Sequence, residues 1–264
     1  HCSTCHTPRN ALMAEESGQF LAGASLGAWY APNITPDPET GIGRWQRDDL
    51  VRYLMAGHAA NGATAAGPMR EAIDKSFSKM SQQDVEAMAT YLQSLPAAKT
   101  AAAQPLPAGT PAPSGDVAEM AGRITPAEAL YRDNCAACHQ VDGKGARGLP
   151  SLVGHPVFAL PNADNVAMAI LEGVWPASAQ GMQGFAAQLS DKEIAEVTNY
   201  VVATFGQRAT RMDEQRVAAL RQGGAPSPLL WLSRAGLGVA AAIALLVLSI
   251  VYRRARRKPR PPGG

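Results

Sequence analysis

Two cysteine pairs, Cys2/Cys5 and Cys135/Cys138, each followed at once by a histidine, constrain this chain more than any other feature. They account for all 4 cysteines, so none is left for a disulfide framework and the pairs read as cofactor attachment. The spacing has a geometric meaning. Two thiols one helical turn apart can each add to a haem vinyl group, and the imidazole of the next residue then lies under the iron. The pattern assigns Cys2, Cys5 and His6 to one haem c, and Cys135, Cys138 and His139 to a second. A single motif would also suit a thioredoxin-like dithiol. Zinc would need pairs close together, whereas these lie far apart in the chain.

The sixth iron ligand is sought among 9 methionines, most of which are expected to be core packing. A thioether favours reduced iron and raises the potential, which suits a relay. In the second half Met182 lies in an expected Gly-rich loop, Gly181-Met182-Gln183-Gly184-Phe185, whereas Met168 lies within a helical pattern. In the first half Met69 and Met80 compete. Met69 follows Gly67-Pro68 in an expected loop; Met80 directly precedes a helix cap at Ser81 and suits a hydrophobic staple, so Met69 is preferred. Pro150 is placed to offer its carbonyl to His139, and Pro32 is the analogous partner for His6. Trp45 and Tyr30 are candidates to line the first haem, although core packing explains them as well. His1, His58 and His155 lack the context of an axial ligand.

Each motif opens a similar series of elements. An apolar helix ends in glycine (Leu50, Leu54, Met55, Gly57; Val166, Ile170, Leu171, Gly173), which suits a left-handed C-cap. A methionine segment follows, then a capped last helix, starting at Ser81-Gln82-Gln83-Asp84 or Ser190-Asp191-Lys192-Glu193. The second half also has a helix before its motif, with Thr125 as N-cap, Pro126 at the first position and Glu128 completing the box. Strand signals are nearly absent, so the expected class is all-α.

These signals predict two cytochrome c domains, residues 1–95 and 120–222, joined by a Pro/Ala-rich linker at residues 96–119. A chain opening on His1-Cys2 gives the first motif no preceding helix, and predicts a fragment truncated at its N-terminus. Residues 229–252 form the expected transmembrane helix. Its uncharged stretch Ala235–Tyr252 is just long enough to cross a bilayer, and a basic cytoplasmic tail follows at residues 253–264. That tail supplies Arg253, Arg254, Arg256, Arg257, Lys258 and Arg260. Without it the net charge of +2 gives way to 18 basic residues against 22 acidic, which offers no case for nucleic acid. The positive-inside rule puts the haem domains across the membrane from the tail, in a bacterial periplasm.

The residues that follow carry a family resemblance. Cys5-His6-Thr7-Pro8-Arg9-Asn10, Trp29-Tyr30-Ala31-Pro32-Asn33-Ile34-Thr35, Thr40-Gly41-Ile42-Gly43-Arg44-Trp45, Ala66-Gly67-Pro68-Met69-Arg70-Glu71 and Leu130-Tyr131-Arg132-Asp133-Asn134-Cys135 together span most of residues 1–206. The chain resembles the multihaem cytochrome c subunit of membrane-bound bacterial alcohol, gluconate and sorbitol dehydrogenases. That family carries three haems, and the resemblance implies that this chain holds the middle and last, with a third upstream. It supports Met69 and Met182 as ligands. It also implies electron transfer from a catalytic subunit with a flavin or PQQ cofactor to ubiquinone, in the bacterial inner membrane. His155 stands where the family more often has Asn. A free-standing anchored dihaem carrier to a terminal oxidase is the alternative. A dihaem peroxidase would need an open iron position, and both halves offer a methionine there instead.

Overall fold

The computed structural model describes residues 1–102, 104–106, 124–146, 148–149, 151–177, 180–209, 211–224 and 228–256. Residues 1–224 form one compact unit and residues 225–264 another.

The first half begins with a single turn, α1 (Ser3–His6), and an antiparallel hairpin, β1 (Ala24–Leu26) and β2 (Trp29–Ala31), with Leu26 opposite Trp29. Three helices follow: α2 (Arg47–Ala56), α3 (Gly67–Lys75) and α4 (Gln82–Ser94). Helix α2 begins with Asp48 and Asp49 in its first turn, where carboxylates complement the helix dipole. It ends at Gly57 in the left-handed conformation, as expected (φ 80°). The Ser81 hydroxyl accepts from the Asp84 amide and starts α4. The spacing Val85, Ala89, Leu92 then turns one face of α4 onto Leu50 and Leu54 of α2, with Leu21 and Ile42 closing this first core.

The second half is built from α5 (Pro126–Asn134), the single turn α6 (Ala136–His139), α7 (Asp164–Glu172), a two-residue ladder of β3 (Gly173–Val174) with β4 (Met182–Gln183), and α8 (Asp191–Gly206). Tyr131 on α5 is fully buried, and its ring meets Tyr200 and Phe205 of α8 at 5.4 and 5.1 Å. Burial pushes the Tyr131 phenol well above its usual range, and the hydroxyl is satisfied by donating to the Gln140 carbonyl at 2.7 Å. Ser190 and Glu193 form a complete capping box at the start of α8. A further helix, α9 (Glu214–Arg221), buries Val217 and Leu220 in the same core, and Arg216 pairs with the buried Asp164 at the start of α7.

Several expectations are corrected. Met69 does not lie in a loop; it sits in the first turn of α3. Gly173 has the positive φ of a C-cap (82°) but an extended ψ (178°), so it leads directly into β3. Glu128 does not complete a box with Thr125: the Thr125 hydroxyl accepts from the Glu128 amide, while the Glu128 carboxylate pairs with Arg132 one turn on. Met182 is on a short strand rather than in a free loop.

The Pro/Ala-rich stretch is tied down where it is described. The Ala98 amide donates to Thr35 Oγ1 at 2.9 Å and its carbonyl accepts from Asn33 Nδ2 at 2.7 Å. Further along, the Leu106 amide donates to the Gln207 carbonyl, and the Ala209 amide to the Gln104 carbonyl. Residues 107–123 lie outside the described residues.

Helix α10 (Pro228–Arg256) belongs to the second unit. It is long and apolar enough to cross a membrane, and none of its apolar window is buried. At 1.5 Å per residue its uncharged stretch, Ala235–Tyr252, measures about 27 Å, close to a bilayer's hydrocarbon thickness. Arg253, Arg254 and Arg256 mark its end; Arg257, Lys258 and Arg260 of the basic tail lie outside the described residues.

Candidate haem sites

At the first motif the helical turn is closed by the His6 amide donating to the Cys2 carbonyl at 2.9 Å. This puts the two thiols and the imidazole on one short element. The turn is pinned at its end. The His6 carbonyl accepts from the Gly23 amide at 2.8 Å, and buried Thr7 accepts at Oγ1 from the Leu21 amide at 3.0 Å. His6 Nδ1 lies 2.6 Å from the Pro32 carbonyl. A carbonyl only accepts, so Nδ1 carries the proton and Nε2 keeps its lone pair for a metal. Burial lowers the His6 pKa, against the opposing pull of that carbonyl, and so favours the neutral imidazole that metal ligation requires.

The Pro32 carbonyl is positioned by side chains that the motif reading had not singled out. Asn33 Oδ1 accepts from the amide and the hydroxyl of Thr35, both at 2.8 Å, while Nδ2 donates to Thr40 Oγ1 and Ala98. Asp37 accepts from the Glu39 and Thr40 amides and from the Thr40 hydroxyl. Glycine is required at 41, where a Cβ would stand 2.2 Å from the Thr35 carbonyl. The segment from Asn33 to Gly43 is thus a hydrogen-bonded brace, whose sequence signal is Asn-x-Thr followed by Asp-x-x-Thr-Gly. Trp45 packs on the first core and meets Tyr53 edge-on at 5.5 Å.

Met69 and Met80 both pack against the core that Cys2 also touches. Their settings differ. Met80 immediately precedes the Ser81 cap, the place that Leu189 takes before Ser190 in the second half. Met69 is set by Gly67, whose φ is 51° and where a Cβ would stand 2.4 Å from the Trp29 indole.

At the second motif the His139 amide donates to the Cys135 carbonyl at 2.9 Å and the Cys138 amide to the same oxygen at 3.1 Å. The Gly145 amide then donates to the His139 carbonyl. Burial, assisted by Cys138, pushes the Cys135 thiol up to about 11, so it is held neutral. Pro150 lies outside the described residues. Met182 packs against the core that Cys135 also touches. Glycines flank its strand because backbone and rings approach closely: a Cβ at Gly181 would meet Trp175 at 2.6 Å, and one at Gly184 the Leu171 carbonyl at 2.5 Å.

His155 has both ring nitrogens engaged, Nε2 with the Gly62 carbonyl at 2.9 Å and Nδ1 with the Val157 amide at 3.1 Å. His58 Nδ1 lies 3.3 Å from the Ala56 carbonyl in the last turn of α2. The residues present fit haem c. All four thiols are free of disulfides, the first imidazole is held in the ligating tautomer, and each half presents a thioether on the core its motif touches.

The comparisons agree. Residues 1–96 match the family described as cytochrome c, and residues 122–201 match cytochrome c oxidase, cbb3-type, subunit III. The chain is 38% identical to the fructose dehydrogenase cytochrome subunit of Gluconobacter japonicus over 98% of its own length and 59% of the relative's. It is 34% identical to the alcohol dehydrogenase (quinone) cytochrome c subunit of Gluconacetobacter polyoxogenes, covering 86% and 51%, and 31% identical to the gluconate 2-dehydrogenase cytochrome c subunit of Pantoea cypripedii, covering 84% and 53%. It therefore spans little more than half the length of these relatives. With two matched domains, one per Cys-x-x-Cys-His turn, and relatives that are cytochrome subunits along nearly its whole length, the chain belongs to the cytochrome c family and binds two covalent haem c groups.

Proposed function

We propose that this chain relays electrons through its two haems, from the catalytic subunit of a flavin- or PQQ-dependent dehydrogenase to ubiquinone. The observation that carries the reading is the pairing, within one compact unit, of two haem-attachment turns with a thioether on each core. Bound haem c supplies a one-electron couple. The protein's part is to attach, orient and shield it: Cys2, Cys5, Cys135 and Cys138 hold the macrocycles, and His6, Met69, His139 and Met182 ligate the irons. The Pro32 carbonyl orients His6. Ligation on both faces leaves no position for a peroxide substrate. Helix α10 anchors the chain in the bacterial inner membrane with the haem domains in the periplasm and the C-terminus in the cytoplasm, a reading that the arginines at its end support.

The test is co-purification from detergent extracts, followed by electron transfer from the dehydrogenase's substrate to a ubiquinone analogue. A dehydrogenase subunit travelling with the chain, and haem reduction on adding substrate, are expected. If no such subunit travels with it and an oxidase does, the chain is a free-standing anchored carrier, a reading that the match of residues 122–201 to an oxidase subunit favours.

A further inference from the structure

His155 joins two loops, one from each half. On its own side the chain wraps the second Cys-x-x-Cys-His turn: the Gly145 amide donates to the His139 carbonyl at 3.0 Å, and the Leu152 amide to the Gly143 carbonyl at 2.7 Å. On the other side lies the loop between α2 and α3. It is closed on itself by the Ala65 amide donating to the Gly57 carbonyl at 2.8 Å and the Ala59 amide to the Ala63 carbonyl at 2.9 Å. The imidazole spans the seam between them. Nε2 lies 2.9 Å from the Gly62 carbonyl, Nδ1 lies 3.1 Å from the Val157 amide, and the Phe158 ring meets the imidazole edge-on at 6.2 Å. A carbonyl only accepts and an amide only donates, so the ring carries its one proton on Nε2 and a lone pair on Nδ1. A second proton would set two donors face to face at Val157. Burial lowers the His155 pKa; the Gly62 carbonyl pulls it back up, and the charge of His139 lowers it further. Titratable groups on the segments around it are engaged elsewhere: His58 with the Ala56 carbonyl, Asp49 with the Ala60 amide, and Asp142 with Lys144.

We infer that His155 is a positioning residue for electron exchange between the two haems, holding the loop around the second attachment turn against the first half. Exchange between two redox centres falls steeply with their separation, so a relay needs its halves held at a fixed distance. One side chain that donates to one half and accepts from the other supplies such a tie. The inference rests on the reading of this chain as a two-haem relay, and not on which partners the relay serves. Only the neutral imidazole can fill the role. Its pKa is lowered in the seam, so the tie is present above the ordinary histidine pKa and is lost as pH falls through the lowered, folded value. A side chain that merely fills space would carry no such pH dependence.

The experiment uses the full haem-loaded chain in detergent and two readouts, each taken across the range where histidine titrates. The first is amide hydrogen exchange of the segments around Gly62 and Val157, corrected for the intrinsic effect of pH. The second is the rate at which an electron, delivered by less than one equivalent of photoreductant, is shared between the haems. In the wild type, protection of both segments and the sharing rate should fall together in acid. His155→Leu should cost about tenfold in protection of both segments at neutral pH, slow the sharing, and remove the pH dependence. His155→Asn keeps a donor for Gly62 and an acceptor for Val157 but has nothing to protonate. It should stay near the wild type at neutral pH and hold that level in acid, and it carries the test if His155→Leu does not fold. If His155→Asn keeps the wild-type acid response, or His155→Leu shares electrons at the wild-type rate, His155 only packs the seam and the inference is overturned. Neither readout involves a dehydrogenase or a quinone, so a failure of the partner assignment would be seen separately, by co-purification.

Discussion

Tyr30 and Asn165 exchange two hydrogen bonds: the Tyr30 amide donates to Asn165 Oδ1, and Asn165 Nδ2 donates to the Tyr30 carbonyl, each at 2.8 Å. One asparagine side chain thereby acts as a strand for β2, and fastens the hairpin of the first half to α7 of the second. The contact is reinforced by Ala28, which is buried in the second core, and by His155 reaching the Gly62 carbonyl. Pro32, which orients His6, comes just after this hairpin. The element that positions one candidate iron ligand is therefore the element that docks the two haem-binding halves.

Asn165→Ala leaves the Tyr30 amide and carbonyl without these partners. The expected loss is about 1–3 kcal/mol, seen as a lower urea midpoint of the full chain. The coupling between the two haem potentials should weaken alongside it. An unchanged midpoint would show that the clamp contributes nothing to docking.

Gly67→Ala places a methyl against the Trp29 indole at a backbone φ of 51°. Strain of roughly 1–3 kcal/mol is expected to displace the first turn of α3. Met69 moves with that turn, so the first haem should lose part of its sulfur-to-iron band. Met80→Leu, one residue before a helix cap, should leave the band intact.

Ser190→Ala removes the hydroxyl that accepts from the Glu193 amide, and with it half of the capping box. A destabilisation of about 1 kcal/mol is expected by denaturant unfolding. Both haems should stay bound, because the cap lies at the far end of α8 from the Phe205 contact.

The Asp37 carboxyl is held below its ordinary range. Burial pushes it up most, but the hydrogen bonds from Thr40 and Glu39, with help from Lys99, outweigh that. A depressed carboxylate contributes stability above its unfolded-state pKa, and this is lost as pH falls through the folded value. Wild type should therefore be more stable than Asp37→Asn at neutral pH. The difference should shrink on acidification below the usual carboxylate range, read as urea midpoints across that interval. A constant difference would mean the charge is not what holds the brace.

Much of the site was legible beforehand because it is local. A Cys-x-x-Cys-His turn, a capping box and a C-cap glycine each depend on neighbours within a few residues, and Ser190/Glu193 and Gly57 behave as their spacing requires. Pro32 was legible too, by analogy with a proline carbonyl placed near a ligating imidazole. The misses are places where a tertiary contact overrides a local signal. Gly67-Pro68 reads as a loop, yet Trp29 packs on Gly67 and α3 starts there. Glu128 suits a capping box, yet Arg132 takes its carboxylate. Helix α9 has too short an apolar face to announce itself, and is held by Val217, Leu220 and the Arg216–Asp164 pair.

The amino-acid sequence alone determined the two Cys-x-x-Cys-His turns, the helical class, and a C-terminal segment apolar enough for a bilayer. Each of these rests on periodicity and spacing, interactions whose range is a helical turn or two. The tertiary structure decided the relation between the halves, through the Tyr30–Asn165 exchange and the His155–Gly62 contact, and tied the residues after α4 down at Ala98, Gln104 and Leu106. Those depend on groups far apart in the chain meeting at hydrogen-bond distance, and no local pattern encodes the orientation that brings them together.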